Sequence, residues 1–123
     1  MGMNYTLDTN IMIYLLNGNL AEKLPNGRFY TSIISRLELF SFSGLSEEKC
    51  NEIERFLNIT LQINLTEAVC KKTIELRCAY KLKLPDAIIV ATAIVQESVL
   101  LTNDIRLDKI TELKMQSLAL INT

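Results

Sequence analysis

The chain has 123 residues, of which 49% are hydrophobic and 22% are charged, and its formal net charge is −1. This length and composition predict one folded domain over residues 1–123 and exclude an intrinsically disordered chain. The nearly balanced charge also excludes binding of nucleic acid through a large general excess of positive charge. An acidic site can still bind a phosphate group through a metal ion, so nucleic acid stays a candidate ligand.

Short apolar segments alternate with segments of helical periodicity along the chain. Positions 59, 61, 63 and 65 are apolar in strand alternation, and Pro85 suits the first turn of a helix. In chain order we predict a strand at 5–7, a helix from 8 or 9 to 16, a strand at 29–31, a helix at 32–42, a helix from 46, a strand at 59–65, helices at 66–82 and 85–97, and strands at 99–101 and 116–121. Strands that alternate with helices favour an α/β fold, in which helices cover both faces of a parallel sheet.

The chain has no histidine and three cysteines, Cys50, Cys70 and Cys78. The absence of histidine excludes Ser–His and Cys–His catalysis and histidine-based zinc sites. An odd number of cysteines without a CxxC pair argues against a disulfide framework. We therefore expect the cysteines to be small apolar residues within helices, in a reducing compartment.

No apolar stretch reaches the roughly 20 residues that span a bilayer. The longest stretch covers residues 87–95, and the N-terminus lacks the basic and apolar regions of a signal peptide. We therefore expect a cytoplasmic protein with no membrane partner. Residues 1–2 are expected to be an addition ahead of a native start at Met3.

Three acidic residues occupy positions at which an α/β fold builds binding sites, and a fourth lies on a helix that could flank them. Asp8 ends the first predicted strand and Asp104 follows a later one, and sites in such sheets form at the carboxyl ends of strands. Asp86 lies in the first turn of a helix that is apolar nearly all round and is therefore buried. Glu38 lies in the middle of its helix if that helix begins near residue 32.

Each acid also has an ordinary structural role that the sequence alone does not exclude. Asp8 is a favoured residue at a helix N-terminus, and Asp86 is favoured in a first helical turn by the helix dipole. Glu38 has capping-box spacing from Ser35, and Asp104 has the character of a turn residue. As a set, however, hard oxygen ligands without histidine or cysteine suit Mg²⁺ or Mn²⁺, and a cluster of like charges is unstable without a cation.

Four segments, in their order and spacing, resemble the PIN domain and more closely the VapC-type toxins within it. They are residues 7–16 (LDTNIMIYLL), 32–39 (SIISRLEL), 84–93 (LPDAIIVATA) and 100–104 (LLTND). The resemblance implies a three-layer α/β/α sandwich with a central, mostly parallel sheet of about five strands. It also implies an Mg²⁺- or Mn²⁺-dependent endoribonuclease that cuts RNA, is the toxin of a toxin–antitoxin pair, binds a cognate antitoxin and forms a homodimer.

The same resemblance assigns roles to particular residues. The implied catalytic and metal-binding acids are Asp8, Glu38, Asp86 and Asp104. The implied supporting polar residues are Thr9, Asn10 and Thr102. The family often has an aromatic residue shortly after the fourth acid, where this chain has Arg106-Leu107-Asp108. Leu107 can fill the same apolar place, and Asp108 is an alternative for part of the role of Asp104.

Contacts with the RNA and with an antitoxin are further expectations. The basic residues considered for contacts with RNA phosphates are chiefly Arg36, Lys83 and Arg106. With 13 basic residues in the chain, chance proximity is the alternative for each of them. The amphipathic helices between residues 32 and 57 offer apolar side chains for a groove that holds an antitoxin helix. These side chains are Leu37, Phe40, Phe42, Ile53 and Phe56, and the alternative is that they belong to the core.

Two other functions stay open at this point. Phosphatases and receiver domains also place an aspartate at the end of a first strand. The segment Asp8-Thr9-Asn10 lacks the second acid, two residues later, of a common phosphatase motif, and no receiver-type second acid accompanies Asp8. The other alternative is a non-catalytic PIN-fold module that binds RNA or protein, against which the presence of all four acids argues.

Overall fold

The structure is a computed structural model and describes residues 2–121, so the expectation for Met1 lies outside the described residues. In chain order the elements are β1 (Met3–Leu7), α1 (Thr9–Leu16), β2 (Gly27–Ser32), α2 (Ile33–Phe40), α3 (Glu47–Asn58), β3 (Leu61–Ile63), α4 (Glu67–Ala79), α5 (Leu84–Val95), β4 (Val99–Leu101), a short 3-10 helix (Ile105–Lys109) and β5 (Met115–Gln116). The five strands form one sheet in the order β3-β2-β1-β4-β5, and every neighbouring pair is parallel. The predicted parallel α/β fold is confirmed.

Helices cover both faces of the sheet because successive residues of a strand point to opposite sides. In β4, Leu100 packs with side chains of α4 and α5 in one apolar cluster, whereas Leu101 packs with side chains of α1, α2 and α3 in another. Helix α5 is buried at every position over residues 87–93. The fold is therefore the predicted three-layer α/β/α sandwich.

Strand β1 is the point at which the order of strands reverses. The chain adds β2 and β3 on one side of β1, and later adds β4 and β5 on the other side. Ligand sites in open parallel sheets form in the crevice at such a point, outside the carboxyl ends of the strands. Asp8 directly follows β1 and Asp104 comes shortly after β4, so the topology brings both acids to this crevice.

Hydroxyl side chains define where three of the helices begin. Ser32, Ser46 and Thr66 each accept a hydrogen bond from a backbone N–H in the first turn of the helix that follows. Helix α2 therefore starts after Ser32, as predicted, but it ends at Phe40 and not at residue 42. No helix within residues 2–121 is both long enough and apolar enough to cross a membrane.

The last predicted strand, residues 116–121, is wrong over most of its length, because β5 comprises only Met115–Gln116. The side-chain amide of Asn103 accepts from the N–H of Leu118 and donates to the carbonyl of the same residue, both at 2.9 Å. These two bonds hold the chain beside Asn103 instead of along β4. Residue Leu120 then forms a single antiparallel bridge with Leu20.

The strand predicted at 59–65 is shorter than expected, since β3 comprises only Leu61–Ile63. Helix α3 continues to Asn58, and Thr66 already caps α4. Ile63 in β3 packs against the apolar cluster of α4 and α5, whereas Ile59 and Leu65 lie outside the strand. Ile59 and Leu65 are 79% and 50% exposed.

The three cysteines lie in helices, as predicted, with Cys50 in α3 and the other two in α4. Cys70 and Cys78 are exposed, so the expectation that they fill the core is wrong. The core-facing positions of α4 are Val69, Thr73 and Leu76. Cys70 and Cys78 lie outside that stripe.

Leu101→Ala should destabilise the protein by about 2–5 kcal/mol, because it removes a fully buried side chain beneath the carboxyl edge of the sheet. Leu61→Ala is the matched control in edge strand β3, where leucine is 49% exposed, and it should cost less than about 1 kcal/mol. Urea unfolding followed by circular dichroism measures both. Equal losses would contradict the assignment of Leu101 to the core.

Candidate active site

Asp8 lies at the N-cap position of α1, but its side chain makes no capping hydrogen bond. Its backbone N–H donates to the carbonyl of Leu101 at 3.1 Å, which joins the ends of β1 and β4. Its carboxylate accepts a hydrogen bond from the Thr102 hydroxyl, with 2.6 Å between Oγ1 and Oδ2. Helix capping is therefore not the role of this carboxylate, and that alternative is wrong.

Thr102 connects two of the four acids. Its buried hydroxyl donates to Asp8 and accepts from the backbone N–H of Asp104 at 3.1 Å. Its own backbone N–H donates to the carbonyl of Gln116 in β5 at 3.1 Å, which keeps it aligned with the sheet. Thr102 thus determines how the acid after β1 and the acid after β4 lie relative to each other.

The surroundings of Asp8 are unfavourable for a negative charge. Burial raises the pKa of Asp8 above its usual value, and the negative charges of Asp86 and Asp104 raise it further. The hydrogen bonds from Thr102 and from the backbone N–H of Thr9 oppose this effect only in part. Asp86 and Asp104 therefore lie near enough to Asp8 to repel its ionised form.

Asp104 is held by the residue two positions later in the chain. Arg106 donates from Nε to Oδ1 at 2.9 Å and from Nη2 to Oδ2 at 2.8 Å, so it engages both carboxylate oxygens. The backbone N–H of Arg106 also donates to Oδ1 at 3.1 Å, which makes Asp104 the N-cap of the 3-10 helix. The ordinary turn role is therefore present at Asp104, and the Arg106 guanidinium lowers the pKa of its carboxyl group.

A small cavity of about 130 Å³ contains Asp86, from the first turn of α5, together with Asp104. The basic residues of its lining are Lys81, Lys83, Arg106 and Lys109. Two of the three residues considered for contacts with RNA, Lys83 and Arg106, therefore lie beside these acids. Lys109 is also in this cavity, although it lies distant from Asp86 in sequence.

Arg36, the third of those basic residues, is engaged by its own chain. Its guanidinium forms an ion pair with Glu54 of α3 and lies 5.2 Å from the centre of the Phe40 ring. It does not line the cavity of Asp86 and Asp104.

The residues after Asp104 have separate locations. Leu107 is buried in the apolar cluster that contains α5, so it fills an apolar place as expected. Asp108 is exposed and lines a different surface depression together with Asn103 and Ile105. Asp108 therefore does not share the cavity of Asp104.

Glu38 is reached from α1 through a short hydrogen-bond chain. Thr9 Oγ1 donates to Glu38 Oε1 at 2.7 Å and lies 2.8 Å from the hydroxyl of Ser35. Because a threonine hydroxyl has one proton and Thr9 gives it to Glu38, Ser35 must be the donor in the second bond. Ser35 is fully buried and is not the cap of α2, so the capping-box alternative for Glu38 is wrong.

The role of Ser35 was missed from the sequence, which suggested only a capping partner for Glu38. The available signal was its position three residues before Glu38, on the same side of the helix. Asn10, in contrast, is exposed, and its side chain makes no hydrogen bond within residues 2–121.

The chemistry of the pocket fits a divalent cation, although no three acidic side chains within residues 2–121 converge closely enough to hold one ion together. Two of the acids are engaged by other side chains: Arg106 contacts both oxygens of Asp104, and Thr9 donates to Glu38. Asp8 is partly buried beside two like charges, and a cation would remove that repulsion. The oxygen-only donor set is the kind that Mg²⁺ and Mn²⁺ prefer.

The apolar side chains considered for an antitoxin groove divide into two groups. Ile53 is buried and belongs to the core, whereas Leu37 and Phe42 are 56% and 53% exposed. Leu37 therefore does not face the core. Phe40 and Phe56 are half-buried and pack against the core cluster of α1–α3. A groove of about 240 Å³ between α1, α2 and α3 is lined by Phe42 and Ile53, among others.

Comparison with known proteins agrees with this architecture. A family model described as PIN domain matches residues 5–113. The structure of VapBC2 from Rickettsia felis, bound to a promoter DNA fragment, contains a chain with a TM-score of 0.80 and 24% identity, over 94% of this chain and 99% of that chain. A chain of VapBC-1 from nontypeable Haemophilus influenzae has a TM-score of 0.76 and 27% identity, over 94% of this chain and 98% of that chain. A chain of a toxin–antitoxin complex from Klebsiella pneumoniae has a TM-score of 0.74 and 28% identity, over 89% of this chain and 94% of that chain.

No curated protein sequence matches this chain. The resemblance to the PIN domain is nevertheless confirmed by the family model, and the similarity to solved structures extends over nearly the whole chain.

Asp8→Asn should raise the melting temperature of the metal-free protein at pH 7 by a few degrees. The variant keeps an acceptor for Thr102 and removes a charge whose ionisation is opposed by burial and by like charges. Since the pKa of Asp8 is raised on folding, wild-type protein loses stability relative to the variant as pH rises through that pKa. Below the ordinary value of 3.8 the two proteins should converge.

Thermal unfolding in EDTA measures this difference, with one melting curve recorded at roughly each pH unit between pH 3 and pH 8. Glu48→Gln is the control, because Glu48 is an exposed acid on α3, and its loss should bring no gain. An Asp8→Asn protein that is less stable than wild type at pH 7 would contradict the electrostatic account.

Proposed function

This chain belongs to the PIN domain family, and we propose that it is a metal-dependent endoribonuclease that acts as the toxin of a toxin–antitoxin pair. The observation that carries the proposal is the partly buried carboxylate of Asp8, flanked by the like charges of Asp86 and Asp104, at the point where the strand order reverses. A structural role alone would not favour this arrangement, because the charges of Asp86 and Asp104 both oppose the ionisation of Asp8. In a metal-dependent site, the same carboxylates would serve as ligands of the cation.

Asp8 and Asp86 would hold one Mg²⁺ or Mn²⁺ directly, and Asp104 and Glu38 would complete the site, directly or through water. When bound, the cation neutralises charge on the scissile phosphate and activates water for attack. Thr102 would hold the Asp8 carboxylate in place. Lys83 and Arg106 would contact phosphate groups of the RNA from the wall of the cavity that contains Asp86 and Asp104.

A cognate antitoxin and a homodimer belong to the same proposal. The similar structures from Haemophilus influenzae and Klebsiella pneumoniae are of VapBC-1 and of a toxin–antitoxin complex. On this chain, the exposed Phe42 and the groove beside it offer an apolar surface to an antitoxin helix. We propose the cytoplasm as the place of action, because RNA and a co-expressed antitoxin would both be present there.

Asp8→Asn should lower RNA cleavage by at least about 100-fold, because it removes a direct metal ligand while keeping the hydrogen bond from Thr102. Purified protein is incubated with tRNA and ribosomal RNA fragments in Mg²⁺, in Mn²⁺ and in EDTA. Wild-type protein should cleave only with metal. Glu48→Gln is the matched acid-to-amide control and should cleave like wild type.

Two outcomes would contradict the proposal. Wild-type rates in Asp8→Asn would remove Asp8 from the catalytic site. Metal binding without cleavage of any RNA would favour the non-catalytic PIN-fold module. Asp108→Asn tests the alternative fourth acid, and near wild-type cleavage is expected because Asp108 lies outside the cavity of Asp104.

Arg106→Gln should tighten Mg²⁺ binding to the RNA-free protein by about two- to five-fold, because both oxygens of Asp104 lose their contact with the guanidinium. Isothermal titration calorimetry of the metal-free protein measures the affinity. Lys109→Gln is the matched control, since it removes the same charge from the same cavity without releasing Asp104. Equal tightening in both variants would show that only net charge matters.

A further inference from the structure

A surface groove of about 740 Å³ lies between the end of α4 and the start of α5. Its charged side chains are Arg77, Lys81 and Lys83, and no acidic side chain of the described chain lines it. None of the three bases takes part in an ion pair within residues 2–121. In a chain whose net charge is −1, this groove is a local concentration of positive charge.

The groove adjoins the cavity of the acids. Lys81, Leu82 and Lys83 line both the groove and the cavity that contains Asp86 and Asp104. A polyanion with one phosphate beside these acids would need to cross only this short segment to reach the groove.

The walls of the groove are already held in position. Arg77 donates from Nε to the carbonyl of Leu82 at 3.3 Å, which anchors the guanidinium and leaves its terminal N–H groups for a ligand. Tyr80 and Leu82 pack against the apolar cluster of α4 and α5 on one side. Tyr80 also lines the groove, and an aromatic side chain in such a place can stack with a base. Arg77 and Tyr80 need little further ordering on binding, which favours affinity.

We propose that this groove binds the single-stranded RNA next to the scissile phosphodiester, on one side of the cut, an inference that rests on the proposed endoribonuclease function. Cationic side chains beside an aromatic ring, in a groove open to solvent, suit an unpaired strand. The groove extends from the acids only toward α4 and α5, so the RNA on the other side of the scissile phosphodiester would not contact it. A second copy of the chain is a poorer occupant, since a twofold contact would place these three positive side chains against the same three.

The test measures binding of a fluorescein-labelled, mixed-sequence single-stranded RNA of about 15 nucleotides by anisotropy, in EDTA and at several salt concentrations. Arg77→Gln and Lys81→Gln should each weaken binding about five-fold at 0.1 M salt and reduce the slope of log affinity against log salt by about 0.7. Arg77→Lys should restore the slope, because it keeps the charge. Arg28→Gln is the matched control, since Arg28 is exposed at the amino end of β2, whereas the acids follow the carboxyl ends of the strands, and Arg28 does not line the groove.

Several results would contradict the proposal that the groove binds RNA. These are unchanged binding in both groove variants, an equal loss in Arg28→Gln, or no RNA binding by wild-type protein at low salt. A change in oligomeric mass of either groove variant, measured by light scattering, would instead make this face an interface between copies. Lys81→Gln keeps the test valid if Arg77→Gln disturbs the loop at Leu82, because Lys81 makes no hydrogen bond among the described residues.

The same variants separate this inference from the proposed function. With Mg²⁺ present, Arg77→Gln, which lies outside the cavity of the acids, should raise KM for a long RNA several-fold and leave kcat nearly unchanged. Metal-dependent cleavage with unchanged KM would contradict RNA binding in the groove and would still support the proposed nuclease function. RNA binding that depends on Arg77 and Lys81, without cleavage of any RNA, would support the groove and overturn the nuclease.

Discussion

The hydrogen bonds that join the carboxyl ends of β1 and β4 position the rest of the candidate site. The N–H of Asp8 donates to Leu101, and the hydroxyl of Thr102 donates to the carboxylate of Asp8. Both bonds depend on the parallel register that pairs Leu7 with Leu101. A shift of one residue would turn the apolar side chains of β1 to the wrong faces and would separate Asp8 from Thr102. The core and the site therefore require the same register.

The candidate site combines electrostatic repulsion between carboxylates with partial burial of one of them. Asp8 is partly buried and lies beside like charges, which opposes folding in the absence of a cation. The protein's own groups engage two of the other three acids: Arg106 engages Asp104, and Thr9 engages Glu38. These contacts orient the two carboxylates. Local destabilisation of this kind is typical of functional sites, where the requirements of chemistry and of stability differ.

Much of the architecture could be predicted because it depends on local patterns. Apolar periodicity identified the helices and strands of an α/β fold, and Pro85 indicated the first turn of α5. The predictions were wrong at the edges of the sheet. The last strand ends after Gln116 because Asn103 binds the backbone of Leu118. Ile59 and Leu65 continue the apolar alternation, but Ile59 directly follows α3 and Leu65 directly precedes the cap of α4, so both lie outside β3 and are exposed.

For the site, the order of amino acids was sufficient to place Asp8 and Asp104 at strand ends and Asp86 in a first helical turn, because these positions depend on segments of only a few residues. Tertiary structure alone decided which groups contact them. Thr102 and Asp8 are 94 positions apart and are joined by the pairing of two strands. Whether Ser35 supports Glu38 or caps a helix was likewise decided by packing of α1 against α2. Contacts between distant residues depend on register and packing, which no short segment determines.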